Sequence, residues 1–364
     1  MGALDGVRVL DLSRNLPGPL CSWLLAGLGA EVDRVETPGV GDPTRHVPPF
    51  VEGAGAFFSA VSRGKRSVGV SLRHPEGPAV IRRIVGRYDV LVDGFRPGVL
   101  EAIGLGPEAL HATHPGLVIA RLSGYGQTGP WRARPGHDLN YLGLVGGLAG
   151  AQETDRGLAF PTLQVADCTG GMVAAFGVAA ALFARERSGR GDVVDVSLAE
   201  AALTLLAPHA LVATVSGKEP EPSGEFLNGG VPIYGTYVCS DGRWITLGAL
   251  EPKFQQAVRD TVGSVSRPDL AAAFATRTRD EWCEVLGDAC VAPVNAFAEL
   301  ADHPQLAARG AARRLGDATW VSPPLGEPSG GPVPKLGEHT DAILAEAGVD
   351  SVQIAGWRDA GAVG

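Results

Sequence analysis

Short runs of aliphatic and β-branched residues alternate with segments of helical spacing through the first half of the chain. Residues 7–12, 32–36, 67–72, 89–93 and 117–123 read as strands, and "SGRGDVVDVSLAEA" (188–201) reads as turn, strand and helix. Residues 19–28 and 75–86 carry helical patterns, the second with Pro near its start and Gly near its end, and 107–111 form a short helical stretch. Strands separated by helices predict βαβ units and a parallel sheet covered by helices, an α/β, Rossmann-like architecture. From 137 to about 187 the pattern turns helical, and Gly170, Gly171, Ala174 and Ala175 predict close packing.

The periodicity breaks at the Pro/Gly/Ser-rich, charged stretch "SGKEPEPSGEFLNGG" (216–230). Residues 243–258 then start a second unit with a strand and a helix, a Pro/Gly-rich stretch at 322–337 ends it, and 337–348 read as a last helix. A chain of 364 residues exceeds one typical domain. The expected organisation is a large Rossmann-like domain at 1–200 completed by 325–364, a linker at 201–224 and a smaller α/β domain at 225–324.

Composition narrows the partners. With 45% hydrophobic and 20% charged residues the chain can bury a substantial core. A net charge of −9 argues against nucleic acid, yet leaves room for a small anionic ligand held by local arginine-bearing loops. The opening "MGALDGVRVLDL" lacks the basic and apolar regions of a signal peptide. The apolar run 172–184 is too short for a span and the run 198–215 contains Glu200, Pro208 and His209, so no membrane partner is expected. Five cysteines without framework spacing fit reduced thiols and a cytoplasmic location. Cys283 and Cys290 have no partners at metal-ligand spacing, and His111 and His114 stand before Pro115 as a helix end, so no metal is expected.

In a parallel α/β sheet, ligands bind at the carboxyl ends of the strands. That directs attention to "SRNLPGP" (13–19), "DGFRPG" (93–98) and "GYGQTGP" (124–130). Gly124, Gly126 and Gly129 have GxGxxG spacing, but Pro130 and Pro135 follow at once, so no helix is aimed at a pyrophosphate. His137/Asp138, Asp167 and Glu251 each stand just before a helix, where they either cap it or meet a substrate. Arg14, Lys65/Arg66 and Arg96 lie near strand ends, as solvated charges or as ligands for the phosphates of a nucleotide-like cofactor.

The ordered motifs "LDGVRVLDLSRNLPGP", "FRPG", "GYGQTGP", "GHDLNY", "VADCTGG", "SGRGDVVDVSLAEA", "GGVPIYGTYVCSDGRWITLGALEPKF" and "GEHTDAIL" resemble the family III CoA-transferase (CaiB/BaiF-like) family over essentially the whole chain. "GHDLNY", "GGVPIYGTY" and "GALEPKF" are similar to its α-methylacyl-CoA racemase branch. The resemblance implies an interlocked homodimer and catalytic roles for His137, Asp138, Asp167 and Glu251, with Glu251 arriving from the partner chain. It implies CoA contacts at Asn15, Leu16, Lys65, Arg66, Val70, Gly94, Arg96 and Tyr125, with CoA as part of an acyl-CoA substrate and no covalently bound cofactor.

The implied reaction interconverts (2R)- and (2S)-2-methylacyl-CoA thioesters by 1,1-proton transfer through an enolate. His137 serves one face, Asp167 paired with Glu251 serves the other, and N–H groups near Asp138 hold the oxyanion. The alternative is CoA transfer between carboxylic acids, with Asp167 as nucleophile forming a mixed anhydride. A third reading, a non-catalytic acyl-CoA-binding paralogue, sits poorly with the presence of all three catalytic-type residues. Thr37 stands where many relatives carry a CoA-contacting Arg, Asn228 replaces an Asp of the racemase motif, and 39–68 is longer than in racemases and closer to the transferase members.

Overall fold

The computed structural model describes residues 2–326 and 330–364. The chain packs as two compact units: residues 1–147, 161–206 and 304–364 form the larger, and 148–160 with 207–303 form the smaller. Residues 148–160 pack with the smaller unit and 304–324 with the larger, so both sequence-drawn boundaries move.

The larger unit is built on six strands: β1 (Arg8–Asp11), β2 (Glu31–Glu36), β3 (Arg66–Gly69), β4 (Val90–Asp93), β5 (Val118–Ser123) and β6 (Val193–Ser197). They form one parallel sheet in the order β6-β5-β4-β1-β2-β3. This is the predicted Rossmann-like sheet, and its strand order reverses between β1 and β4. The period of two sorts the strand residues onto two faces. Leu10, Leu91 and Ile119 point into one core with Ile81, Ile84, Ile343 and Trp357. Val9, Val90, Val92, Val118 and Ala120 point into the other, with Leu25, Ala174 and Val178.

Helix α1 (Pro17–Gly27) follows β1 directly, and α2 (Gly77–Val85) follows β3 with Pro78 in its first turn and Val80, Ile81 and Ile84 inward. The region expected to be helical from 137 to 187 is two helices, α3 (Asp138–Leu144) and α4 (Val165–Ser188). In sequence they are separated by a small ribbon, Glu153–Thr154 paired with Gly157–Leu158, in a stretch that is polar and glycine-rich. At 24 residues, α4 is long and apolar enough to cross a membrane, unlike the shorter apolar run the sequence marks. It lies against α1, β5 and β6, burying Gly170, Gly171, Ala174 and Val178. Helix α5 (Leu198–Leu205) continues from β6, with Ser197 Oγ accepting from Glu200 N.

In the smaller unit, β7 (Tyr234–Val238), β8 (Trp244–Gly248) and β9 (Val291–Pro293) form an antiparallel sheet. Helices Pro252–Val262, Arg267–Phe274 and Arg279–Leu286 close it around Tyr237, Ile245, Leu247, Phe274 and Trp282.

Candidate active site

The strand-order reversal between β1 and β4 opens a crevice at the carboxyl edge of the sheet, the place where doubly wound sheets take ligands. Ser13, buried just past β1, lies under the loops that line it. A Cβ on Gly18 would meet Ser13 Oγ at 2.1 Å, and a Cβ on Gly94 would meet Ser13 Cβ at 2.8 Å, so only glycine lets the two loops and the start of α1 approach this closely. The cleft above has a volume of about 660 Å³ and is lined by Arg14, Asn15, Gly94, Arg96, His137 and Asp167, among others.

The wall carrying His137 is held by its own short motif. The Tyr141 ring packs between Gly124 and Gly136, at whose positions a Cβ would lie 2.4 and 2.6 Å from the ring, and its hydroxyl donates to Gly136 O at 2.5 Å. Asn140 Oδ1 accepts from His137 N at 3.0 Å, so His137 sits at the helix entrance with its side chain exposed to the cleft. Asp138 then reaches to α4: its Oδ1 accepts from Asp167 N at 3.0 Å. One hydrogen bond therefore ties together the entrances of α3 and α4 and sets two carboxyl groups side by side.

Asp167 is half-buried, and among the described residues its carboxyl receives no hydrogen bond. Burial, reinforced by the Asp138 charge, pushes it up to about 7. A carboxyl that titrates near neutrality can both take and return a proton. Arg14 stacks over Phe95, with 5.2 Å to the ring centroid, and Arg134 over Trp131, with 4.0 Å. Trp131 in turn meets Tyr125 edge-on, and Tyr125 meets Tyr141. Among the described residues, Arg14, Arg96, Arg132 and Arg134 have no carboxylate partner, which leaves the cleft positive on a chain of net charge −9. Such a cleft suits a polyanion.

The sequence profile described as CoA-transferase family III matches residues 4–340. The chain belongs to CoA-transferase family III. It is 36% identical to human (Homo sapiens) alpha-methylacyl-CoA racemase over 97% of this chain and 95% of that protein. It is also 38% identical to the succinyl-CoA–D-citramalate CoA-transferase of Chloroflexus aurantiacus, over 75% of this chain and 68% of the relative. Among solved structures, a CAIB/BAIF family protein from Brucella suis superposes with a TM-score of 0.83 and 30% identity, covering 95% of this chain and 99% of the other.

Against this family background, the cleft gathers some of the residues expected from sequence and leaves others elsewhere. His137, Asp167, Asn15, Gly94 and Arg96 line it, and Asp138 touches it through Asp167 N. Tyr125 stands behind it as support for Tyr141. Glu251 lies in the smaller unit, exposed at the entrance of helix Pro252–Val262.

Four of the expected CoA contacts have side chains engaged within the fold. Lys65 is buried, its Nζ bound to Pro19 O at 2.8 Å and Ser22 Oγ at 2.7 Å. Arg66 opens β3 at the amino edge of the sheet, away from the edge that binds ligands, and is engaged by Asp33 and Glu346. The Leu16 side chain packs with Leu20 and Val61. Val70 is buried in the sheet core and bridges to Val363. Conversely, Arg132, Arg134, Asn140 and Tyr141 belong to the cleft and were not singled out as site residues. Their signal is position: they bracket "GHD" in the segment that follows the carboxyl end of β5.

Proposed function

We propose that this family III chain interconverts the (2R) and (2S) forms of 2-methylacyl-CoA thioesters by 1,1-proton transfer. The observation that carries the reading is the pair His137 and Asp167 on one cleft, with the Asp167 carboxyl pushed up to about 7. Racemisation needs a group that removes the α-proton and one that returns a proton on the other face, and a group titrating near neutrality serves both directions. CoA transfer would instead use the same Asp167 carboxylate as a nucleophile. The free N–H groups at the entrance of α3 would hold the enolate oxygen. The unpaired arginines suit the phosphates of CoA, which arrives as part of the substrate.

We extend the reading to a homodimer in which Glu251 of a second copy pairs with Asp167. Apolar side chains left in solvent support it: Met172, Phe176 and Phe183 on α4, and Leu211, Val212 and Val215 on helix Ala207–Ser216. Five unpaired cysteines agree with a reducing, cytoplasmic setting. CoA transfer is the second reading, favoured by the 38% identity to a succinyl-CoA-dependent transferase.

The test is proton NMR of the full chain with a 2-methylacyl-CoA in deuterium oxide, without an acceptor acid. Loss of the α-proton signal with appearance of both epimers is the expected result. No exchange across a panel of such thioesters, together with CoA transfer to an added acid and a hydroxylamine-trapped Asp167, would replace racemisation with transfer.

A further inference from the structure

The loop after β1 lines the cleft with Arg14, Asn15 and Gly18, and Pro17 and Pro19 close it. Asn15 sits at φ +64, a conformation most side chains avoid. Beneath it the fold hides an unusual amount of charge: Asp11, Arg34, Asp42 and Lys65 are all buried.

Three of these charges each take one main-chain group of the segment 13–19. Asp11 Oδ1 accepts from Ser13 N at 2.9 Å, and Asp42 Oδ2 accepts from Asn15 N at 2.9 Å. Lys65 Nζ donates to Pro19 O at 2.8 Å. The charges are neutralised in pairs. Ser22 Oγ links Lys65 Nζ, at 2.7 Å, to Asp11 Oδ2, at 2.5 Å, and the two charges stand 3.8 Å apart. Arg34 binds Asp42, bonds Ser62 Oγ at 2.8 Å and stacks on Phe58. Buried pairs of this kind contribute little to stability against apolar replacements, so their placement under one loop calls for another reason.

We infer that Lys65, Asp11 and Asp42 are positioning residues that clamp the β1 loop in the shape that receives CoA, and that Lys65 touches no phosphate itself. The inference rests on the proposed function only in taking the cleft as the CoA site. A preformed loop spares the ligand the cost of ordering it, so the clamp is read in affinity. Burial pushes the Lys65 ammonium down to about 7, in keeping with a group enclosed by the fold rather than presented to a ligand.

The experiment is calorimetric titration of CoA, and of 3′-dephospho-CoA, into the full chain, with thermal unfolding measured in parallel. Lys65→Met should raise the dissociation constant for both ligands by the same factor, about tenfold, and lower Tm because Asp11 is left buried and unpaired. Adding Asp11→Asn should restore most of the Tm but not the affinity, since Pro19 O keeps only the longer bond from Ser22 Oγ, at 3.2 Å, and is no longer held by the Lys65 ammonium. Asp42→Ala tests the other end of the loop should Lys65→Met fail to fold, and should also weaken both ligands severalfold. Recovery of affinity together with Tm in the double variant overturns the clamp, as does wild-type binding by Lys65→Met. So does a loss confined to CoA and absent with 3′-dephospho-CoA, which would make Lys65 a phosphate ligand. Failure of the wild-type chain to bind either ligand would instead remove the reading of the cleft, and this inference with it.

Discussion

Arginines at the amino edge of the large sheet and those around the cleft are used in opposite ways. At the amino edge Arg8 pairs with Glu31 and Glu346, Arg66 with Asp33 and Glu346, Arg87 with Glu346, and Arg185 with Asp89. Around the cleft at the carboxyl edge, Arg14, Arg96, Arg132 and Arg134 have aromatic neighbours or solvent but no carboxylate among the described residues. An arginine held by carboxylates fastens elements of the fold, whereas one left without a counter-charge keeps its five donors for a ligand. The pairing state therefore separates fastening residues from binding residues of identical type.

The largest effect that sharpens this contrast lies in the cleft itself, at Asp167. Asp167→Asn should reduce α-proton exchange by about 10²- to 10⁴-fold while the CoA dissociation constant, set by the arginines, stays within about twofold. Its pH signature follows from the raised value. The folded carboxyl titrates near 7 instead of 3.8, so its contribution to stability is full below 3.8 and is lost as pH rises through about 7. Chemical unfolding across that window should show a decline in the wild-type chain that the variant lacks.

Next comes a direct exchange of roles. Arg96→Leu should weaken CoA binding by about 10- to 100-fold, the worth of one charged hydrogen bond, and reduce its salt dependence at unchanged Tm. Arg66→Leu should leave CoA affinity intact and cost about 1–3 kcal/mol of stability, because the buried Asp33 loses its cation. Reversed outcomes would break the comparison.

The smallest effect is at the exposed hub. Glu346→Gln should cost under about 1 kcal/mol. Arg66 beside it, with Arg8 and Arg87, holds the Glu346 carboxyl down to about 2, so its contribution is present above the ordinary 4.5 and disappears as pH falls through about 2. The difference between wild type and variant in urea should close over that range.

Much of this was legible in the chain because it is local. The six strands follow from short aliphatic and β-branched runs, and the βαβ alternation makes them parallel. "GHDLNY" announces the His137 wall because Asn140 and Tyr141, which hold it, lie within one turn. The prolines after the GxGxxG spacing rule out a helix there, and Gly126 and Gly129 occupy loop conformations at φ +83 and +81, with the next helix starting only at Asp138. What escaped is non-local. Lys65 reads as a surface cation until the sheet brings Pro19 and Ser22 over it, and Arg66 reads as a free one until Glu346, 280 residues onward, closes on it. No window of sequence contains both partners, so burial and pairing of these charges had to come from the fold.

The division of the chain also bears on how it is made. The polypeptide passes between the two units four times, after residues 147, 160, 206 and 303. Ile343, Leu344, Ile354 and Trp357, which complete one face of the large sheet, are therefore translated after the whole smaller unit. During synthesis that face, with Leu10, Leu91 and Ile119, waits uncovered for its closing helices, at the elongation pace of about 5–20 residues per second. Until those last helices emerge, the large sheet keeps one apolar face open, a surface of the kind chaperones bind.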